Sequence, residues 1–163
     1  MDQLWSYKIE DLSGEGKLDE LKKLLGENYT QLEIDIALGN AIAYSQIETA
    51  EYLLSLGADF SNYDYDGVYY AVHNDELIGL KYAISKGIDV NIRNGMLLST
   101  SIMTCTNTKN IDIVRWLLEN GADSKYLTKS SLEIAERYGT EELKELIKNF
   151  WLCLTLTDGL NSE

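Results

Sequence analysis

Apolar residues recur at helical spacing through most of the chain. Ile47, Ala50, Leu53 and Leu54 share one face of a 3.6-residue period, as do Ile111, Val114, Leu117 and Leu118. These runs end alike: YLLSLGAD (52–59), YAISKGID (82–89) and WLLENGAD (116–123). In each ending an apolar pair precedes Gly57, Gly87 or Gly121 by the same step. The glycine supplies the left-handed residue that closes a helix, and the aspartate after it opens a turn. The copies lie 30 and 34 residues apart. Ahead of each sits a second, shorter apolar run: Leu38–Tyr44, Val68–His73 and Ile102–Asn107. The pattern predicts a repeating unit of helix, tight turn, helix, and then a looser connection of roughly nine to thirteen residues. Proline is absent, so nothing in the composition interrupts these helices.

With the repeat laid out, the chain resembles the ankyrin-repeat family. The family pattern T-P-L-H-x-A-x-x-x-G-H-x-x-x-V-x-x-L-L-x-x-G-A-D aligns without gaps, from its leucine onward, on Leu38–Asp59, Val68–Asp89 and Ile102–Asp123. Its first-helix alanine falls on Ala41, Ala71 and Cys105, a position that takes only a small side chain. Two divergent copies flank these three. Ile9–Leu25 places Leu12 in the alanine slot and Gly16 at the turn, and Leu132–Ile147 places Ala135 and Gly139 there. The resemblance implies an all-α ankyrin-repeat solenoid of stacked helix-turn-helix units with short or rudimentary hairpin loops. Its expected units are 1–28, 29–59, 60–89, 90–123 and 124–150, the first and last acting as caps. The tail 151–163, apolar through Trp151–Leu156, is expected to pack on the last unit. The chain departs from the family at the T-P-L-H tetrapeptide, where it reads Ile36-Ala37-Leu38-Gly39, Asp66-Gly67-Val68-Tyr69 and Thr100-Ser101-Ile102-Met103. The stiffening threonine and histidine hydrogen bonds of the family are therefore not expected.

Charge narrows the choice of partner. The net charge is −13, and no lysine or arginine occurs between Lys23 and Lys81, a stretch holding ten acids and seven of the eleven tyrosines. Such a surface repels phosphate and anionic lipid and attracts basic protein, so neither direct nucleic-acid binding nor membrane binding is expected. The two cysteines do not make a disulfide framework. The acidic amphipathic start, MDQLWSYKIEDL, is unlike a signal peptide. Both point to a cytoplasmic protein, in a host cell if its origin is viral or that of an effector, and a monomer is expected.

Candidate chemistry is sparse. Asn62-x-Asp64-x-Asp66-Gly67 has the opening spacing of an EF-hand loop, but His73 occupies the twelfth position, where calcium needs a bidentate acid. One histidine and two distant cysteines do not make a zinc site. No G-x-S-x-G, no Cys–His pairing and no phosphate-cradling glycine loop is present. No catalytic residue, metal or cofactor is expected, and the protein is read as a non-enzyme.

What remains is binding. In ankyrin modules, hairpin tips and exposed first-helix positions line the partner groove. By position, the resemblance assigns Tyr63, Asp64, Tyr65 and Asp66, then Ile92, Arg93, Asn94 and Met96 to tips, and Tyr44, His73, Asn74 and Asn107 to first helices. Ala43 and Thr108 would accompany the latter, and Tyr70 adds aromatic area. One of Tyr69 and Tyr70 is expected to fill space between repeats. Tyrosine beside carboxylate holds lysine or arginine through cation–π contact and charge pairing. The expected function is a protein-interaction module for a basic partner. The alternative is a stoichiometric inhibitor, such as an immunity or anti-defence protein, that blocks a nucleic-acid-binding enzyme by charge mimicry.

Overall fold

Helix pairs recur along the whole described chain. The computed structural model describes residues 3–158, with side chains described for 7–150. Among these residues the regular structure is ten α-helices and two 3-10 turns, with no strand. Two units form. In residues 1–88 the pairs are α1 (Gln3–Gly14) with α2 (Leu18–Leu25), α3 (Gln31–Ala43) with α4 (Ile47–Ser55), and α5 (Asp66–His73) with α6 (Leu77–Ser85). The first helices stack, α1 on α3 and α3 on α5, and α6 also reaches α3. In residues 89–163 the pairs are α7 (Ile92–Thr108) with α8 (Asp112–Glu119), and α9 (Lys129–Tyr138) with α10 (Glu141–Asp158); α7 packs against α8 and α9. Each unit is thus an all-helical stack of ankyrin-like pairs. The backbone of α10 continues into the apolar tail, whose side chains lie outside those described.

The repeat pattern explains the core. The small-residue slot, filled by Leu12, Ala41, Ala71, Cys105 and Ala135, is buried in all five copies. So are the apolar positions of the second helices: Leu21 and Leu25, Ala50 and Leu53, Leu80 and Ala83, Val114 and Leu117, Leu143 and Ile147. Fully burying one of the leucines contributes about 1.5–3 kcal/mol. A single pair has only one face to bury, so the stacked neighbour completes it.

The helix endings share one geometry. Gly57, Gly87 and Gly121 have φ of 92°, 100° and 95°. The next amide then reaches back to the helix, with Ala58 N donating to Leu53 O at 3.1 Å, Ile88 N to Ala83 O at 3.4 Å and Ala122 N to Leu117 O at 2.9 Å. Asp59, Asp89 and Asp123 each accept the amide two residues on, from Ser61, Asn91 and Lys125, at 2.9 Å. At the tight turn inside the three central pairs, where the family has glycine, Ser45, Asp75 and Lys109 are held left-handed with φ of 57°, 65° and 64°.

Helix starts differ from the sequence expectation. α3 begins at Gln31, well before Leu38, because Thr30 and Glu33 form a capping box. Thr30 Oγ1 accepts from Glu33 N at 3.3 Å while Glu33 Oε2 accepts from Thr30 N at 2.7 Å. The connection before α3 is therefore only Gly26–Thr30, shorter than predicted. α7 likewise extends ahead of Ile102, entering through a left-handed turn at Arg93, Asn94 and Gly95. Thr100, Ser101 and Ile102, at tetrapeptide positions, are buried inside it, with Ser101 Oγ donating to Leu98 O at 2.8 Å.

A candidate binding groove on the first unit

The outer faces of α1, α3 and α5 bound a groove of about 640 Å³. Two glycines, Gly39 and Gly67, are among its lining residues where α3 meets α5. A Cβ added to Gly67 would lie 2.5 Å from the Cα of Gly39, so α3 and α5 meet main chain to main chain. A Cβ on Gly39 would sit 3.6 Å from the Gly67 Cα, an ordinary contact. Gly39 and Gly67 occupy the histidine and proline places of the family tetrapeptide in successive units. The absence of a side chain at Gly67 lets the two helices approach this closely.

Aromatic rings form one wall. On α5, Tyr69 meets Tyr70 edge-on at 5.1 Å between centroids and stacks on His73 at 6.0 Å, and Tyr70 meets His73 edge-on at 6.1 Å. Tyr70 and His73 line the groove, while Tyr69 is half-buried behind them. Tyr70 is 47% exposed and Tyr63 is 63% exposed. At the α3 end stands Tyr44, its ring lying over Gly14.

Tyr63 reaches the groove from a strained turn. Tyr63, Asp64 and Tyr65 are consecutively left-handed, with φ of 46°, 59° and 68°. For side-chain-bearing residues this costs about 1 kcal/mol each. The turn is held by Asp64 N donating to Ser61 O at 3.0 Å and Tyr65 N to Asn62 O at 3.2 Å. The second unit repeats the device, with Arg93 and Asn94 at φ of 51° and 54°.

The groove is acidic. Glu10, Asp35, Asp59 and Asp66 line it, and no lysine or arginine is among its lining residues. Two of these acids are tied into the fold. Asp35 Oδ1 accepts from Asp59 N at 2.7 Å and Gln31 Nε2 at 2.8 Å, and Asp59 Oδ2 accepts from Ser61 Oγ at 2.9 Å. Asp66 stands in the first turn of α5, where the helix dipole favours a negative charge.

Seven of the residues expected at a partner site line this groove: Ala43, Tyr44, Tyr63, Asp66, Tyr70, His73 and Asn74. Asn74 is partly committed, its Nδ2 donating to Ala43 O at 3.0 Å. Ala43 is buried there, not exposed as expected. Asp64 and Tyr65 belong to the adjoining turn and are not among the lining residues. Arg93, Asn94 and Asn107 are exposed on the second unit. Sequence reasoning missed Glu10, Asp35, Asn40 and the glycine pair, although Glu10 and Gly39 hold the same place in successive units, two residues before Leu12 and Ala41. Among the described residues, no three histidines, cysteines, aspartates or glutamates come together to hold a metal ion, and no helix is long and apolar enough to cross a membrane.

No protein-family model matches the chain. Two curated proteins are similar to parts of it. Palmitoyltransferase AKR1 of Lachancea kluyveri is 32% identical over 89 residues, which are 51% of this chain and 12% of that protein. A putative ankyrin repeat protein of Acanthamoeba polyphaga mimivirus is 39% identical over 61 residues, 36% of this chain and 20% of that protein. The chain therefore spans a fifth or less of the relatives it matches. Taken with the recurring helix pairs, these partial similarities support ankyrin-like repeats in this chain.

Proposed function

We propose that this chain is a non-catalytic interaction module that holds a basic protein partner in the groove of its first unit. The observation that carries this reading is a concave surface lined by acids and exposed tyrosines and by no lysine or arginine. Tyr63, Asp66, Tyr70 and His73 form the contact, with Asp64 and Tyr65 on its rim. Arg93, Asn94 and Asn107 offer separate polar contacts on the second unit. The mimivirus relative is named for its ankyrin repeats, which supports a binding role. The palmitoyltransferase similarity covers 12% of that enzyme, too little to carry over its activity.

The test is fluorescence anisotropy with a labelled nonapeptide carrying three arginines, compared with its glutamate counterpart. Asp64→Lys with Asp66→Lys should weaken arginine-peptide binding about tenfold and flatten its salt dependence. Unchanged affinity and salt slope would remove the groove as the site.

A second reading, charge mimicry of nucleic acid, draws on the same base-free stretch from Lys23 to Lys81. It requires that the purified protein displace labelled duplex DNA from a basic DNA-binding enzyme, which the first reading does not.

A further inference from the structure

We infer that the groove contains a subsite for a single arginine side chain of the partner, lying over Gly39 and Gly67 between α3 and α5. This rests on the groove reading above and specifies the chemistry it recognises. Three features converge. Gly39 and Gly67, both lining residues, bring α3 and α5 together main chain to main chain, so the groove wall between the two helices carries no side chain at either position. Tyr70 stands at its side with its ring fixed edge-on by Tyr69 and His73. Asp66 brings a carboxylate from the first turn of the same helix.

A planar guanidinium suits this arrangement better than an ammonium. It stacks on an aromatic face while its fork of N–H groups meets a carboxylate in two hydrogen bonds, whereas lysine offers a hydrated point charge. The groove volume of about 640 Å³ also leaves room for the residues flanking that arginine. Charge complementarity fixes the sign of the occupant, since the lining residues include four acids and no lysine or arginine.

The experiment is a ¹H–¹⁵N NMR titration of the full chain with acetyl-Gly-Arg-Gly-amide and with its lysine and citrulline counterparts. Citrulline keeps the shape of arginine and removes its charge. The arginine peptide should shift the amides of Gly39, Gly67 and Tyr70, with the lysine peptide about threefold weaker and the citrulline peptide about tenfold weaker or more. Gly39→Ala, whose added methyl makes only ordinary contacts, should keep or raise the thermal midpoint yet weaken the arginine peptide about fivefold. Tyr70→Leu, which removes the π face at an exposed position, should weaken it similarly.

Equal binding of arginine and citrulline peptides, shifts that map elsewhere, or unaltered affinity in Gly39→Ala would each overturn the subsite. If the tri-arginine nonapeptide still depends on Asp64 and Asp66 in that case, the broader groove reading stands and only the arginine subsite falls. If neither peptide depends on these residues, both fall.

Discussion

At Gly67 a methyl group has nowhere to go, because the Gly39 backbone fills the space its Cβ would take. Gly67→Ala should therefore destabilise by about 1–3 kcal/mol through overpacking. Gly39→Ala should be neutral or stabilise by up to about 1 kcal/mol, since alanine favours a helix interior. Thermal denaturation of the two variants checks this asymmetry, and equal effects would mean the helices do not approach so closely. Asp75 poses a backbone test of the same kind. Its left-handed φ of 65° tolerates aspartate but disfavours a β-branched side chain, so Asp75→Val should cost about 1–2 kcal/mol. The sequence showed that the tetrapeptide was missing at both glycines. It could not show that the two glycines touch, because that contact is set by how α3 packs on α5.

The helix endings and the small-residue slot were legible because each depends on a few neighbouring residues: a glycine that turns left-handed, an aspartate that caps a turn, an alanine under the next helix. Helix starts were less so. The Thr30–Glu33 box lies outside the aligned repeat, and following the repeat alone places the start of α3 too late. In the second unit, one side chain fastens the beginning of α7 to the end of α8. Asn91 Nδ2 donates to Gly121 O at 3.0 Å, and its Oδ1 accepts from Asp123 N at 2.8 Å. Asn91→Ala should lose about 1–3 kcal/mol in a denaturant titration. Asp123 also carries a pH dependence. The Lys125 ammonium and the Lys125 backbone N–H hold its carboxyl below the usual carboxylate range. A lowered folded pKa stabilises above the unfolded value, near about 4, and that contribution fades as pH falls through the folded value. Asp123→Asn should accordingly make the loss of stability below about pH 4 shallower.

Over the whole molecule, the charge of −13 and the base-free stretch give a negative field that weakens as salt screens it. That polarity, and the placing of tyrosines and aspartates at the positions proposed as contacts, could be read from composition and repeat position. The grouping of Tyr44, Tyr63, Asp66, Tyr70 and His73 around one groove could be read only in part, because it also depends on the glycine contact and on the left-handed turn that carries Tyr63. Residues assigned by the same positional rule on α7 and its entry turn belong to the other unit, a division the repeat spacing does not announce. Whether the groove holds a basic partner is decided by the affinity of the tri-arginine nonapeptide for wild type and for Asp64→Lys/Asp66→Lys, read across salt from about 0.05 to 0.2 M. Wild-type binding should weaken steeply with salt, and the variant should bind about tenfold more weakly with a nearly flat response. Equal affinities with equal salt slopes would contradict it.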